Sequence, residues 1–252
     1  TVSNGAEVAD TTFFLLVNTP PQLTANNPLV VDAGGSGVIS NALLAAADEL
    51  AMPGARIALG MCDNSLFQPA LGSLFVKFEN VQRFAAVIVT DGQPRSAVNA
   101  GVSGEMFLLR AVELGLGGCW VSGTYRRGQV GLKTQDGERI AALIALGRPR
   151  KLPSLPIRRK RKDIFALCPQ FDALNSAFKE IAQYVQIAPS AMNLQPWRMK
   201  TINDAAVTVS VGMAAQRLDL GIGMCHALLA LGSTPALFSL SEDGQTATVE
   251  LL

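Results

Sequence analysis

Pro189 and Pro196 restrict the course of the chain between Ile187 and Trp197 more tightly than any other stretch of this sequence. A long helical pattern runs in from Phe178 and must stop at Pro189, whose ring fixes φ and which has no backbone N–H to donate. Ser190 is a natural cap for a short following turn. Pro196 biases Gln195 toward an extended conformation, Trp197 supplies a large apolar anchor, and a β-prone segment begins near Arg198. The expected product is a rigid corner that carries Ser190, Asn193 and Gln195. These short polar groups suit an aromatic, amide-rich ligand.

Earlier in the chain, residues 38–50 read as an amphipathic helix with Val38, Ala42, Ala45 and Glu49 on successive turns. Met52-Pro53-Gly54 closes it, and residues 55–61 and 84–89 read as strands. Residues 12–18 form a short apolar run bounded by Asn18-Thr19-Pro20-Pro21, and read as a strand or a buried extended piece. Gly34-Gly35-Ser36-Gly37 suits either a phosphate cradle or a flexible lead-in to a helix, but lacks the G-x-G-x-x-G spacing and the P-loop lysine. Gly101-Val102-Ser103-Gly104 leads into a second helix over residues 105–116, which ends at glycine. Residues 115–123 then place glycines on both sides of Trp120-Val121, a backbone that must turn sharply or approach something closely. Residues 140–146 read as a buried strand.

The segment Ala188-Pro189-Ser190-Ala191-Met192-Asn193-Leu194-Gln195-Pro196-Trp197 resembles the A-P-S-[SA]-x-N-x-Q-P-W hallmark of FMN-dependent nitroreductases. The Gly115-Leu116-Gly117 segment resembles the G-L-G-x-x-[WP]-[IV]-x-G stretch that lies along the flavin in that family, and Gly147-Arg148-Pro149 resembles its A-L-G-x-P close. The resemblance implies that Pro189, Ser190, Ala191, Asn193 and Gln195 contact the ring or ribityl chain of FMN. It also implies that Trp120, Val121, Ser122 and Gly123 border the flavin, offering backbone N–H groups near N5. Ser122 stands where many members carry Glu.

Five cations in a row, Arg158 to Lys162, repel one another and need anions or solvent. The run reads either as a solvated linker or, by the same resemblance, as the tail whose Arg159, Lys160 and Arg161 reach the FMN phosphate. No aromatic residues interleave these cations and the chain carries a net charge of only +1, so no nucleic-acid partner is expected.

The motifs come in an unusual order, because the proline-bracketed corner follows the glycine-rich segment and the basic run. This implies two tandem half-copies, over residues 1–165 and 166–252, with residues 218–232 a worn copy of the 105–117 helix. The layout resembles the branch known as putative TM nitroreductases. It implies an α+β, nitroreductase-like three-layer fold: a mixed or mainly antiparallel sheet with flanking helices, and a pseudo-dimer within one chain. The family's N-terminal R-R-S-x-R-x-[FY] segment is not visible, so it either lies upstream of Thr1 or is lost.

The function implied is that of a flavoprotein oxidoreductase, passing reducing equivalents from NAD(P)H through FMN to a small acceptor such as a nitro compound or quinone. The alternative is a flavin-binding or flavin-free pseudo-enzyme with a storage or interaction role. No protein group is nominated as a catalytic acid, base or nucleophile. Lone His226, mid-helix among apolar residues, reads as a packed histidine, and Asp219 as a favourable charge at a helix N-terminus. Cys62, Cys119, Cys168 and Cys225 lie far apart and read as reduced thiols of a cytoplasmic protein, with no metal site. No segment has the eighteen or more apolar residues that would span a bilayer. The opening seventeen residues have no basic stretch and do not read as a signal peptide; without an initiator Met, the natural chain is expected to extend upstream. A monomer or a homodimer would satisfy this organisation.

Overall fold

The computed structural model describes residues 36–67, 78, 81–148 and 160–252. The expected strand over residues 12–18, the first two glycines of the 34–37 run, Pro149 and the proposed phosphate ligand Arg159 lie outside them.

The elements run in the order α1 (Ser36–Glu49), β1 (Ala55–Met61), β2 (Arg83–Val89), α2 (Pro94–Glu113), β3 (Gly117–Val121) and β4 (Arg139–Gly147). A short α3 (Ile164–Leu167) follows, then α4 (Ser176–Ile187), β5 (Arg198–Asn203), β6 (Ala206–Ser210), α5 (Arg217–Leu231), β7 (Ala236–Leu240) and β8 (Thr246–Leu251). The strands pair antiparallel throughout and divide, among the described residues, into two four-stranded sheets, β1-β2-β4-β3 and β5-β6-β8-β7. Each sheet thus has the same strand order, a helix before its first strand and a longer helix between its second and third. The layers are sheet, helices, sheet.

The two sheets differ in how they are covered, and their sequences say why. In β2, Ala85, Val87 and Val89 face the helices, while Phe84, Ala86 and Ile88 pack under Leu66, Phe67, Val81, Tyr125 and Val130. Both faces are dry, and the strand reads as an unbroken apolar run. In β6 the buried Val207 and Val209 alternate with half-buried Thr208 and Ser210, the pattern of a sheet with one wetter face.

Helix α2 joins the halves. Its Ala100, Phe107, Leu108 and Ala111 pack on the first sheet, and its Val98 and Val102 join α5 residues Leu220 and Met224 in the core of the second. The expected lead-in Gly101 to Gly104 is instead helix interior, since α2 starts at Pro94, the favoured first position for proline. The glycines are there for contact rather than for a turn. A Cβ on Gly101 would collide with Leu218 O and lie 2.9 Å from Gly221 Cα; a Cβ on Gly221 would collide with Val98 O and lie 2.8 Å from Gly101 Cα. The two helices therefore cross backbone on backbone, and the contacts are reciprocal.

In α4, Asn175 Oδ1 accepts the Phe178 N–H at 2.9 Å, a side-chain cap. Phe178, Ile181, Ala182 and Val185 form its buried stripe. In α1 the buried side chains are Leu43, Ala46 and Ala47, whereas Ala45 and Glu49 are exposed. The helix forms as expected, and which of its faces is buried is set from outside, because an alanine-rich helix offers several apolar stripes and only the neighbouring β1 and α2 select one. No helix among the described residues is long and apolar enough to cross a membrane.

Candidate functional site

The corner forms where expected, with a different backbone. After α4 the chain makes one 3-10 turn, Ala191–Asn193, with Ser190 at the cap position. Ser190 contributes its carbonyl, which accepts the Asn193 N–H at 2.9 Å. Its Oγ instead reaches across the bend to accept the Gln195 N–H at 2.8 Å. Gln195 is not extended: Met192, Asn193 and Gln195 have φ of 51°, 55° and 48°. Left-handed backbone costs a non-glycine residue about 1–2 kcal/mol, so the bias imposed by Pro196 has been overridden. The Gln195 hydrogen bonds supply the reason.

Those bonds tie the corner to the basic run. Arg161 donates to Ile187 O at 2.6 Å, Ala188 O at 3.0 Å and Asn193 Oδ1 at 3.1 Å. Asn193 Nδ2 donates to Lys160 O at 3.0 Å. Gln195 Oε1 accepts the Lys162 N–H at 2.7 Å, Gln195 Nε2 donates to Asn193 O at 3.0 Å, and Lys162 Nζ donates to Gln195 O at 3.2 Å. Residues 160–162 are therefore not a loose linker. They are laced to Ser190, Asn193 and Gln195 into one polar cluster, with Lys160 and Lys162 exposed at its edge.

Helix α5 holds the corner from beneath. The Ala191 N–H donates to Asp219 Oδ1 at 2.9 Å, and the Trp197 indole N–H donates to Asp219 O at 2.8 Å. The fully buried Trp197 ring packs over Gly223, where a Cβ would lie 2.5 Å from the indole Nε1. Burial pushes the Asp219 carboxyl above its ordinary value, with the Ala191 N–H acting against the rise. Asp219 lies in the first turn of α5 as expected, but it also fixes the bend.

Trp120, Val121, Ser122 and Gly123 lie at the end of β3. Trp120 and Val121 sit opposite Ile144 and Leu143 of β4, and the ladder ends there. Ser122 and Gly123 continue past it and are exposed, leaving backbone at the tip of the strand. The Val121 side chain turns away into the outer cluster of the first sheet, so only its backbone can serve a ligand on the helix side. Trp120 packs against Gly104, and its indole N–H donates to Glu105 Oε2 at 2.7 Å. Glu105 Oε1 in turn lies 3.0 Å from Nε2 of His226 on α5. His226 is buried, as expected, but it is half of a polar contact between the halves, and its Nδ1 has no hydrogen-bond partner among the described residues.

The structure thus joins Ser190, Asn193, Gln195, Lys160 and Arg161 in one cluster and sets Trp120 to Gly123 in another, and both clusters are anchored on α5. Sequence reasoning did not assign Lys162, Asp219 or Glu105 to these clusters. A usable signal existed: acidic residues set within strongly apolar helical stretches, which bury a charge only with partners. Among the described residues no group of three or more His, Cys, Asp or Glu could hold a metal ion, and the four cysteines form no disulfide.

No curated protein matches this chain in sequence. Among solved structures it is similar to one described as a putative nitroreductase from Thermotoga maritima MSB8, with 21% identity over 69% of this chain and 72% of that one and a TM-score of 0.53. It is less similar to an FMN-dependent nitroreductase from Clostridium difficile R20291, with 17% identity, 53% and 84% coverage and a TM-score of 0.36. The Thermotoga structure shows the shared fold. A family model described as "Putative TM nitroreductase" matches residues 43–231, a span that includes both clusters. The chain belongs to that family.

Proposed function

We propose that the chain is an FMN-dependent oxidoreductase that draws on NAD(P)H and reduces a small acceptor such as a nitro compound or a quinone. One observation carries this reading: the Arg161 guanidinium and the Asn193 amide meet at 3.1 Å, so cations and amides share one corner. Such a donor set fits FMN, which combines a phosphate dianion with an amide-bearing ring. Lys160, Lys162 and Arg161 would face the phosphate, and Arg159 belongs to the same run. Pro189, Ser190, Ala191, Asn193 and Gln195 would line the ribityl chain and ring. The backbone of Trp120, Val121, Ser122 and Gly123 would border the reactive edge.

When bound, FMN supplies the electron transfer, accepting two electrons from the nicotinamide and passing them to the acceptor. The protein's own residues position and enclose. The matching element order of the two halves supports an internal pseudo-dimer, in which one half contributes the corner and the other the β3 tip. A single chain would then complete a site without a second copy, whether the protein is a monomer or a homodimer.

A second reading rests on a specific observation. The Asn193 and Gln195 side chains are already spent on residues 160–162, and Ser122 replaces the usual Glu, which suits a pseudo-enzyme that binds flavin weakly or not at all. Titrating the purified chain with FMN separates the two. Saturable quenching of flavin fluorescence at one site per chain, at least tenfold weaker in Arg161→Ala, with bleaching of the visible flavin band by NAD(P)H, supports the oxidoreductase. Binding without bleaching supports the pseudo-enzyme, and no binding defeats the flavin assignment.

A further inference from the structure

A cavity lies beside the α2–α5 crossing. It has a volume of about 410 Å³ and lies between the first half of α2, the second half of α5, and β7. Its floor is Val98, Val102, Met224, Leu228 and Ala247, all buried. Phe238 and Leu240 are half-buried along its wall. The polar residues that line it, Gln93, Arg95, Ser239, Ser241 and Glu242, are exposed and stand at the mouth. Asn99 is the exception, being buried, and its amide donates to Pro53 O at 2.8 Å.

The position of this cavity follows from the reciprocal crossing. Val98, Gly101 and Val102 meet Leu218, Gly221 and Ile222 in matching contacts, so a local two-fold relates the helices. Two residues before each crossing glycine stand Asn99 and Asp219. Each bonds the bend ahead of its sheet's first strand: Asn99 to Pro53 O, and Asp219 to the Ala191 N–H. The same two-fold carries the corner onto Met52-Pro53-Gly54 and the tip of β3 onto the tip of β7. The cavity, with Met52 in its lining, is therefore the counterpart of the candidate site.

The chemistry is not conserved between the two. The first bend is shorter and has no counterpart of Ser190, Asn193 or Gln195, and among the described residues no basic side chain reaches the floor. We propose that this cavity is a second small-molecule site, for a neutral and largely apolar compound rather than a flavin. Its volume falls in the range of ligand pockets, roughly 300–1,000 Å³. Met52 and Met224 are unbranched and can adapt to the shape of a guest. With Arg95 and Glu242 at opposite charge about the mouth, neither sign is favoured there. This inference rests on the cavity and its lining, and stands or falls separately from the flavin reading.

The test uses the neutral dye N-phenyl-1-naphthylamine and the full chain. The expected result is saturable fluorescence enhancement at one dye per chain. Affinity should fall at least tenfold in Ser239→Trp, which puts an indole across the mouth from an exposed position, and in Leu228→Gln, which makes the floor polar. Melting curves of both variants identify any loss of fold, and Ser239→Trp is the variant expected to keep it. Non-saturating enhancement, unchanged affinity in a folded Ser239→Trp, or competitive displacement of the dye by FMN would each overturn the proposal.

Discussion

The Glu105 carboxylate on α2 lies 3.0 Å from His226 Nε2 on α5, at a sequence separation of 121, and both residues are buried. The same carboxylate takes the Trp120 indole N–H, so one acidic group fixes the β3 tip and the contact between halves together. Truncating it leaves buried polar atoms without partners.

Glu105→Ala is expected to destabilise the chain by about 3 kcal/mol, the range for breaking a buried charged contact. A double-mutant cycle of Glu105→Gln with His226→Phe, followed by urea unfolding, should give a coupling energy of roughly 1–3 kcal/mol. Additivity within about 0.5 kcal/mol would mean that the two residues do not communicate.

Gly101→Ala tests the helix crossing through its sign. In an isolated helix, alanine is favoured over glycine by about 1 kcal/mol. Here the added methyl meets Leu218 O and the Gly221 backbone, and overpacking of this kind typically costs about 1–3 kcal/mol. Loss of stability in chemical denaturation supports the crossing; a gain would refute it.

Arg56 grips Glu138 with two hydrogen bonds, 2.8 Å from Nε and 2.6 Å from Nη2. With the Gln135 N–H, this holds the Glu138 carboxyl at about 2, against an ordinary 4.5. Because the folded value is the lower one, the stabilisation is full above pH 4.5 and is lost as pH falls toward 2. The stability difference between the parent and Glu138→Gln should be constant at neutral pH and shrink across that acid window. A difference that does not depend on pH would remove the charge from the explanation.

Asp219 shifts the opposite way, because burial penalises its charge. Its raised value means that the ionised group weakens the fold as pH rises through its titration. Asp219→Asn keeps an acceptor for the Ala191 N–H and removes the charge, so it should equal or exceed the parent in melting temperature at neutral pH and lose that advantage in acid. Asp219→Ala should lose about 1–3 kcal/mol by orphaning the buried N–H. A less stable Asn variant at neutral pH would show that the charge itself is needed at the helix terminus.

Much of the architecture was written locally. Pro189 ends α4 because it lacks an N–H, the apolar run of β2 announces a strand buried on both faces, and Gly232 closes α5 with a φ of 54°. The corner's polar residues could be named for the same reason, since two prolines and a tryptophan leave the backbone few courses. Local rules failed wherever a partner from far along the chain outweighed a propensity. Gly101 and Gly104 read as the lead-in to a helix because glycine weakens an isolated helix, and only α5 and Trp120, arriving from elsewhere, make a missing Cβ an advantage. Gln195 read as extended because Pro196 follows it, but bonds to Ser190 and Lys162 hold it left-handed. Backbone preference near a proline is short-ranged and worth a few kcal/mol at most, a margin that several hydrogen bonds from a distant segment can reverse.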